Sequence, residues 1–513
     1  MISVVWFKRD LRVHDHAALT AAAASGHPVL ALYIVEPELW RQPALSGRQF
    51  AFLGECLDDL DRQLRGCGGA LVRRTGDAVH VLADLHARHG IAQIHAHEET
   101  GLEWTFARDK AVRRWARQAG VPLVEHRQHG VWRALNRRDG WAARWDRMMA
   151  APVLPRPALT RPAILPSDPW PDAAELWLAD DPCPGRQRGG RREGIALLGS
   201  FLTERGQFYR SAMSSPLEGA EACSRISAHL AFGCLSMRES HQAATRALLR
   251  WSEREDKHWT GSIRSFIARL HWHCHFIQKL EDQPSIEHTN LHPAYADLRP
   301  VGPEHEALVA AWRQGQTGFP FVDACMRSLG ATGWLNFRMR SMVMAFSSYH
   351  LWQDWRRPAQ ELARLFTDFE PGIHFPQAQM QSGTTGVNTA RIYNPVKQSL
   401  DQDPDGVFIR RWLPELAAVP TEFLHQPWTA PDDLLRGWGV EPGVTYPRPL
   451  VDHVAAARFA RERIYTVRKG AGFRQTANGI QQRHGSRKAG LPPTGKRRAP
   501  KPAPTPGQGE FSF

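Results

Sequence analysis

Five short apolar runs, at residues 2–6, 29–35, 70–73, 91–96 and 121–125, alternate with helical patterns at about 15–26, 47–66, 77–89 and 103–119. The strands are close to continuously apolar, which marks strands buried on both faces. Strand and helix in strict alternation give right-handed βαβ units and hence a parallel sheet covered on both sides. Residues 1–130 are therefore predicted to form a doubly wound α/β domain with a five-stranded parallel sheet. No GxGxxG follows the first strand, which excludes a standard dinucleotide site there.

Nine prolines between Ala151 and Gly185 break regular structure, so residues 131–190 read as an interdomain linker. From Arg191 the pattern turns helical, with candidates near 191–205, 224–232, 236–251, 260–281, 304–314, 319–329, 332–354 and 358–367. A chain of 513 residues exceeds one core, and an all-α domain over 191–467 is expected. From Arg468 onward ten Lys or Arg face one Glu in a Pro- and Gly-rich context, so 468–513 is expected to be a basic disordered tail. It accounts for +9 of the net +13, leaving about +4 for the rest. Such a tail either adds salt-dependent attraction to nucleic acid or is simply solvated.

No apolar run reaches the roughly 18 residues of a membrane span, and Ile2 to Phe7 lacks the features of a signal peptide, so a cytoplasmic protein is expected. Seven cysteines without a CxxC pair argue against a disulfide framework and against zinc, and no metal is expected. Cys223, Cys234, Cys274 and Cys325 could meet as a cluster, although burial as small hydrophobes is the favoured reading.

The segment EACSRISAHLAFGCLSMRE, Glu221 to Glu239, combines small hydroxyl and thiol side chains with an arginine in an otherwise helical pattern. Ser224 and Ser227, three apart, would share a helix face, with Arg225 between them and Gly233 permitting close approach. The set suits a phosphate-bearing ligand at a helix start, although on its own the signal is weak, since Ser-rich helix starts are usually just caps.

Together with WFKRDLRVHDHAAL (Trp6 to Leu19), TGFPFVDACMRSLGATGWLNFRMR (Thr317 to Arg340) and ARIYNPVKQS (Ala390 to Ser399), this segment resembles the photolyase/cryptochrome family over about residues 1–440. The resemblance implies a U-shaped FAD within the helical domain. Tyr209, Phe266, Arg269 and His273 would lie near it, and Cys223, Ser224, Arg225, Ile226 and Ser227 would hold its phosphates, with Cys223 replacing the usual threonine. Asp368 and Glu370 match two carboxylates near the flavin and ribose, and Arg340 would pair with Asp368. His374 takes the place of an asparagine facing flavin N5, where an imidazole could make the redox state pH-dependent.

For a substrate pocket the resemblance supplies Trp272 as the stacking wall and Arg338 as a lining cation, with Met380 beside them. Arg269 replaces a dimer-contacting glutamate and Phe337 an asparagine; the paired histidines of (6-4) enzymes are absent. Of the family's tryptophan relay only Trp355 is matched, the other positions being Ala378 and Gly302. Tyr349, Trp352 and Trp355 would form another route along one helix, or a packed core stripe. The implied function is blue-light repair of cyclobutane pyrimidine dimers by reduced FAD, with UV-damaged DNA as partner and a monomeric state. A cryptochrome-like photoreceptor without repair is the alternative. The folate-antenna contact should fall near Trp104 and Thr105, neither acidic, which leaves the second chromophore open.

Overall fold

The computed structural model describes residues 1–135 and 137–486. Strands β1 (Ile2–Phe7), β2 (Val29–Val35), β3 (Leu71–Thr75), β4 (Ile91–His97) and β5 (Leu123–His126) form one sheet, ordered β3-β2-β1-β4-β5 and parallel throughout. Every residue of β1 and β2 is buried, as their unbroken apolar sequences require, while β5 at the edge is only partly covered. Helices Ala17–Ala23, Gly47–Arg65, Ala78–His89 and Glu103–Gln118 return the chain between strands.

The strand order reverses at β1, and in open α/β sheets the crevice beyond the carboxyl ends of the strands at such a point receives ligands. Here a cavity of about 70 Å³ lies there, lined among others by Trp6, Tyr33, Thr105, Phe232 and Phe369. Its charges are mutually paired: Arg108 donates to Glu36 (2.6 Å), Glu99 (2.5 Å) and Asp109 (2.9 Å), and Lys8 donates to Asp109 (3.0 Å). Nearby, His97 Nδ1 is hydrogen-bonded to Asp10 Oδ2 at 2.7 Å and His16 Nε2 lies 2.9 Å from the same oxygen, so these three buried groups stand close enough together to hold a metal.

Beyond the Pro-rich segment the chain is helical. Its axis is the 26-residue Lys257–Asp282 helix, started by Asp256, whose carboxylate accepts from Trp259 N at 3.0 Å. Met237–Glu253 opens with a Ser236/Glu239 capping box. Pro371–Ser382 packs between Lys257–Asp282 and Phe337–Ala345. Several helices at the carboxyl side lay outside the sequence pattern, among them Pro395–Gln402 and His453–Arg468.

Three expectations are corrected. The segment after Arg468 does not begin as a disordered tail: Phe473–His484 is a helix, held where Phe473 stacks on His292 with ring centroids 3.9 Å apart. Its sparse apolar residues suffice because Phe473 and Ala477 enter an existing cluster with Tyr295 and Tyr349, and Ile480 packs against the main helical core. The rest of that tail, 487–513, lies outside the described residues. The pattern over 332–354 is not one helix, since Phe337–Ala345 passes into a single π turn, Phe346–His350, and Trp352 adopts φ +55°. Segment 221–239 is likewise broken into Glu218–Ala222, Ser227–Ala231 and Met237–Glu253, so Ser224 and Ser227 do not share a helix.

The domains are joined by the RDLR motif. Arg9 donates to Ala231 O and Phe369 O, both at 2.7 Å, and Arg12 to Gly233 O at 2.9 Å. Gly233, at φ +68°, leaves no room for a side chain, because a Cβ would lie 2.2 Å from Arg9 O. The close approach that this glycine permits is therefore made by the α/β domain.

Candidate cofactor and substrate site

Cys223 to Ile226 forms an irregular bend between two short helices, with Arg225 at φ +59°. Arg205 clamps the bend, donating to Cys223 O at 2.8 Å, and Gln187 donates to Arg225 O at 2.9 Å. The Arg225 guanidinium lies 4.1 Å from the centroid of Trp334, and burial lowers its pKa. Arg205, Arg225, Arg269 and Arg340 all stand close enough to Cys223 to act on its thiol, yet burial still pushes it up to about 11 and keeps it neutral.

Arginine dominates this ring of charges. Its principal balancing carboxylate is Asp368, which Arg340 grips bidentately at 3.0 and 2.7 Å. The Asp368 side chain is only 4% exposed and that of Arg340 27%, so the pair is largely withdrawn from water. Arg340 is further fixed by donating to Leu335 O at 2.7 Å and by lying 4.0 Å over Phe366. Tyr209 is pushed up to about 12 by burial and sits beside both Cys223 and Arg269. Phe266 packs 4.8 Å from Phe201 inside the core, and Ile226 is buried with it.

Among the buried polar atoms that lack a partner within the described residues are Arg225 Nε and Ser227 Oγ at this bend, and His273 Nδ1 and Arg338 Nε on two other helices. Each such atom costs about 1–3 kcal/mol unless something polar meets it. Converging guanidiniums, an unpaired hydroxyl and half-buried residues Cys223 to Arg225 inside the domain fit a bulky anionic ligand. A flavin dinucleotide, with its diphosphate, is such a ligand.

Two further implied residues have protein partners outside this ring of charges. Glu370 precedes the first turn of Pro371–Ser382 and lies 3.6 Å from Arg9 of the α/β domain, with burial raising its pKa. His374 Nε2 donates to Ala359 O at 2.7 Å, and burial among aromatic rings lowers its pKa to about 4. His273 is also lowered to about 4 by burial and faces His129 at 6.3 Å.

Trp272 stands one residue before His273 on the Lys257–Asp282 helix, half-buried, against His275 at 5.0 Å and Phe276 at 5.8 Å. Three residues earlier the exposed Arg269 reaches 5.5 Å over the ring of Phe337, which is itself 49% exposed. Arg338 is half-buried beside it, and Met380 is half-buried farther along Pro371–Ser382. Trp355 is fully buried and donates to Asn290 Oδ1 at 2.6 Å. Trp352 belongs to a different cluster, lining a surface cleft of about 680 Å³ with Phe459 and Arg463. Cys234, Cys274 and Cys325 are buried in three separate hydrophobic clusters, in line with the favoured reading, and Cys234 meets Cys56. Sequence reasoning missed Arg205 and Arg9; their partners are backbone carbonyls and distant side chains, which leave no local pattern.

Residues 266–466 match the family model for the FAD binding domain of DNA photolyase, and residues 3–139 match that for DNA photolyase. The chain is 30% identical to a deoxyribodipyrimidine photo-lyase of Streptomyces griseus, over 90% of this chain and 99% of that protein. It is 30% identical to a cryptochrome DASH of Gloeobacter violaceus, over 90% and 95% respectively. A bacterial class III photolyase structure from Agrobacterium tumefaciens superposes with a TM-score of 0.79 at 27% identity, covering 91% of this chain and 98% of that one. With both of its domains matched, the chain belongs to the photolyase/cryptochrome family and carries that family's FAD-binding domain.

Proposed function

We propose that this protein is a light-driven DNA photolyase that splits cyclobutane pyrimidine dimers. The observation that carries the reading is the half-buried Trp272 with Arg269 three residues before it on the same helix, Arg269 in turn lying over Phe337, the sequence neighbour of the half-buried Arg338. A base lifted out of the duplex needs a stacking surface and backbone anchors; photolyases are among the enzymes for which such base flipping is described. FAD, when bound and reduced, supplies the photoexcited electron donor. Arg225, Arg269 and Arg340 stabilise negative charge around Cys223, and Trp272 orients the flipped dimer. No side chain is asked to act as nucleophile or general acid, so positioning and charge stabilisation do the work.

The test is blue-light repair of a dimer-containing oligonucleotide by reduced, FAD-loaded protein, with dimer loss expected. Trp272→Ala should weaken binding to the damaged strand by about tenfold or more, since base–aromatic stacking is worth ~1–3 kcal/mol, while leaving FAD content intact. Loss of flavin on that change would assign Trp272 to the core. A photoreceptor without repair is the second reading, favoured by Arg269 being engaged on the Phe337 ring; intact dimers after illumination of flavin-loaded, reduced protein would favour it.

A further inference from the structure

Cys56 and Cys234 meet across the boundary between the domains. Cys56 projects from the Gly47–Arg65 helix of the α/β domain, and Cys234 lies in the turn between Ser227–Ala231 and Met237–Glu253. Their Sγ atoms are 3.4 Å apart, although 178 residues separate them in sequence, and both are fully buried. The backbone N–H of Gly190 donates to Cys56 Sγ at 3.2 Å, and a Cβ on Gly189 would lie 2.8 Å from that sulfur. The end of the Pro-rich segment thus presses one thiol toward the other.

A third group completes the arrangement. His229, 0% exposed, has neither ring nitrogen hydrogen-bonded among the described residues and lies beside Cys234. The contact with Cys56, and then His229, lowers the Cys234 thiol to about 6, whereas burial raises Cys56. The pair is polarised, one sulfur ionising easily and the other holding its proton, with an imidazole at hand.

We propose that Cys56 and Cys234 are a redox-active dithiol that closes to a disulfide and staples the α/β domain to the helical domain next to the Cys223–Ser227 bend. The oxidant class is a peroxide, small enough to reach buried thiols through local opening. Cys234 passes its proton to His229, and the thiolate attacks one peroxide oxygen; the O–O bond breaks, the leaving hydroxide takes the proton back from His229 and departs as water, and the sulfur becomes a sulfenic acid. Cys56 gives up its proton and attacks that sulfur; the S–S bond forms, the S–O bond breaks, and the departing hydroxide takes the proton as a second water. Two thiols lose two electrons and two protons, and hydrogen peroxide is reduced to two waters.

The experiment treats the full-length, flavin-loaded protein with hydrogen peroxide, alkylates all free thiols after denaturation, and maps the seven cysteines by peptide mass spectrometry. Seven alkylated cysteines should fall to five, with a Cys56–Cys234 linked peptide that dithiothreitol abolishes. The thermal midpoint should rise on oxidation in the wild-type protein and stay unchanged in Cys234→Ala. Seven alkylated cysteines after peroxide, oxidation confined to the half-buried Cys183 or Cys223, or an equal midpoint rise in Cys234→Ala would each overturn the proposal. The mapping uses the wild-type chain, so a variant that fails to fold leaves the decision intact.

Discussion

Replacing Arg340 with methionine tests whether the Arg340–Asp368 pair is a withdrawn structural charge pair or a solvent-screened surface bridge. Removing one partner of a buried ion pair costs about 3–5 kcal/mol, because the other charge is left uncompensated. Two features reduce that here: the Arg340 side chain is 27% exposed, and Arg225 remains close to Asp368. We therefore expect about 2–3 kcal/mol for Arg340→Met. Arg340→Lys keeps the charge but loses the bidentate grip and the bond to Leu335 O, for about 1–2 kcal/mol. Adding Asp368→Asn to Arg340→Met removes the stranded carboxylate, so the double variant should be more stable than the sum of the singles by at least about 1 kcal/mol. The assay is urea unfolding of flavin-free protein, followed by circular dichroism at low and high salt. The helical domain's transition must be fitted separately, since two domains need not unfold together. Single-variant costs below about 0.5 kcal/mol, erased by salt and additive in the double variant, would refute the reasoning.

Two further outcomes follow from the buried charges. His95 and His350 are lowered to about 4, and His97 and His484 to about 3, each mainly by burial. Their unfolded forms take up protons near pH 6.5, so the stability tied to these neutral rings is whole above that pH and is lost as pH falls toward 4 or 3. At pH 5.5 each contributes a loss of about 1.4 kcal/mol, and the urea midpoint should drop sharply between pH 7.5 and 5.5; a flat profile would contradict their burial as neutral rings. Arg108→Met leaves Glu36, Glu99 and Asp109 with Lys8 as the adjacent cation, which should cost about 3–5 kcal/mol at pH 7.5. Because protonation relieves repulsion among those carboxylates, the deficit relative to wild type should shrink at pH 5.5, and a deficit that grows on acidification would count against the network.

The sheet was legible because its strands are buried on both faces and therefore nearly continuous in apolar residues; β1 and β2 satisfy that condition along their whole length. Helix ends in the second domain were harder, since an apolar pattern persists through a change of backbone. Phe346, Tyr349 and Trp355 continue the spacing of Met339 and Met342, yet the chain leaves the helix through a π turn and reverses at Trp352. Tertiary packing makes that exit possible: Trp355 enters the main helical core while Trp352 turns to the cluster around Phe473.

The site was legible in its residues and not in its electrostatics, and the reason is physical. Arg205, Arg225, Arg269 and Arg340 belong to four different elements, each with an ordinary local role such as holding a carbonyl or covering an aromatic ring. Only packing turns them toward one neutral thiol, with Asp368 shared by Arg225 and Arg340. By the same token Glu370 resembles a ligand contact in sequence, but its charge meets Arg9 across the domain boundary. A guanidinium recognises a carbonyl or carboxylate equally well on a ligand or on a neighbouring domain. Which of the two it meets is decided by whether the surrounding elements leave a partnerless buried atom, and here they do so at Arg225, Ser227, His273 and Arg338.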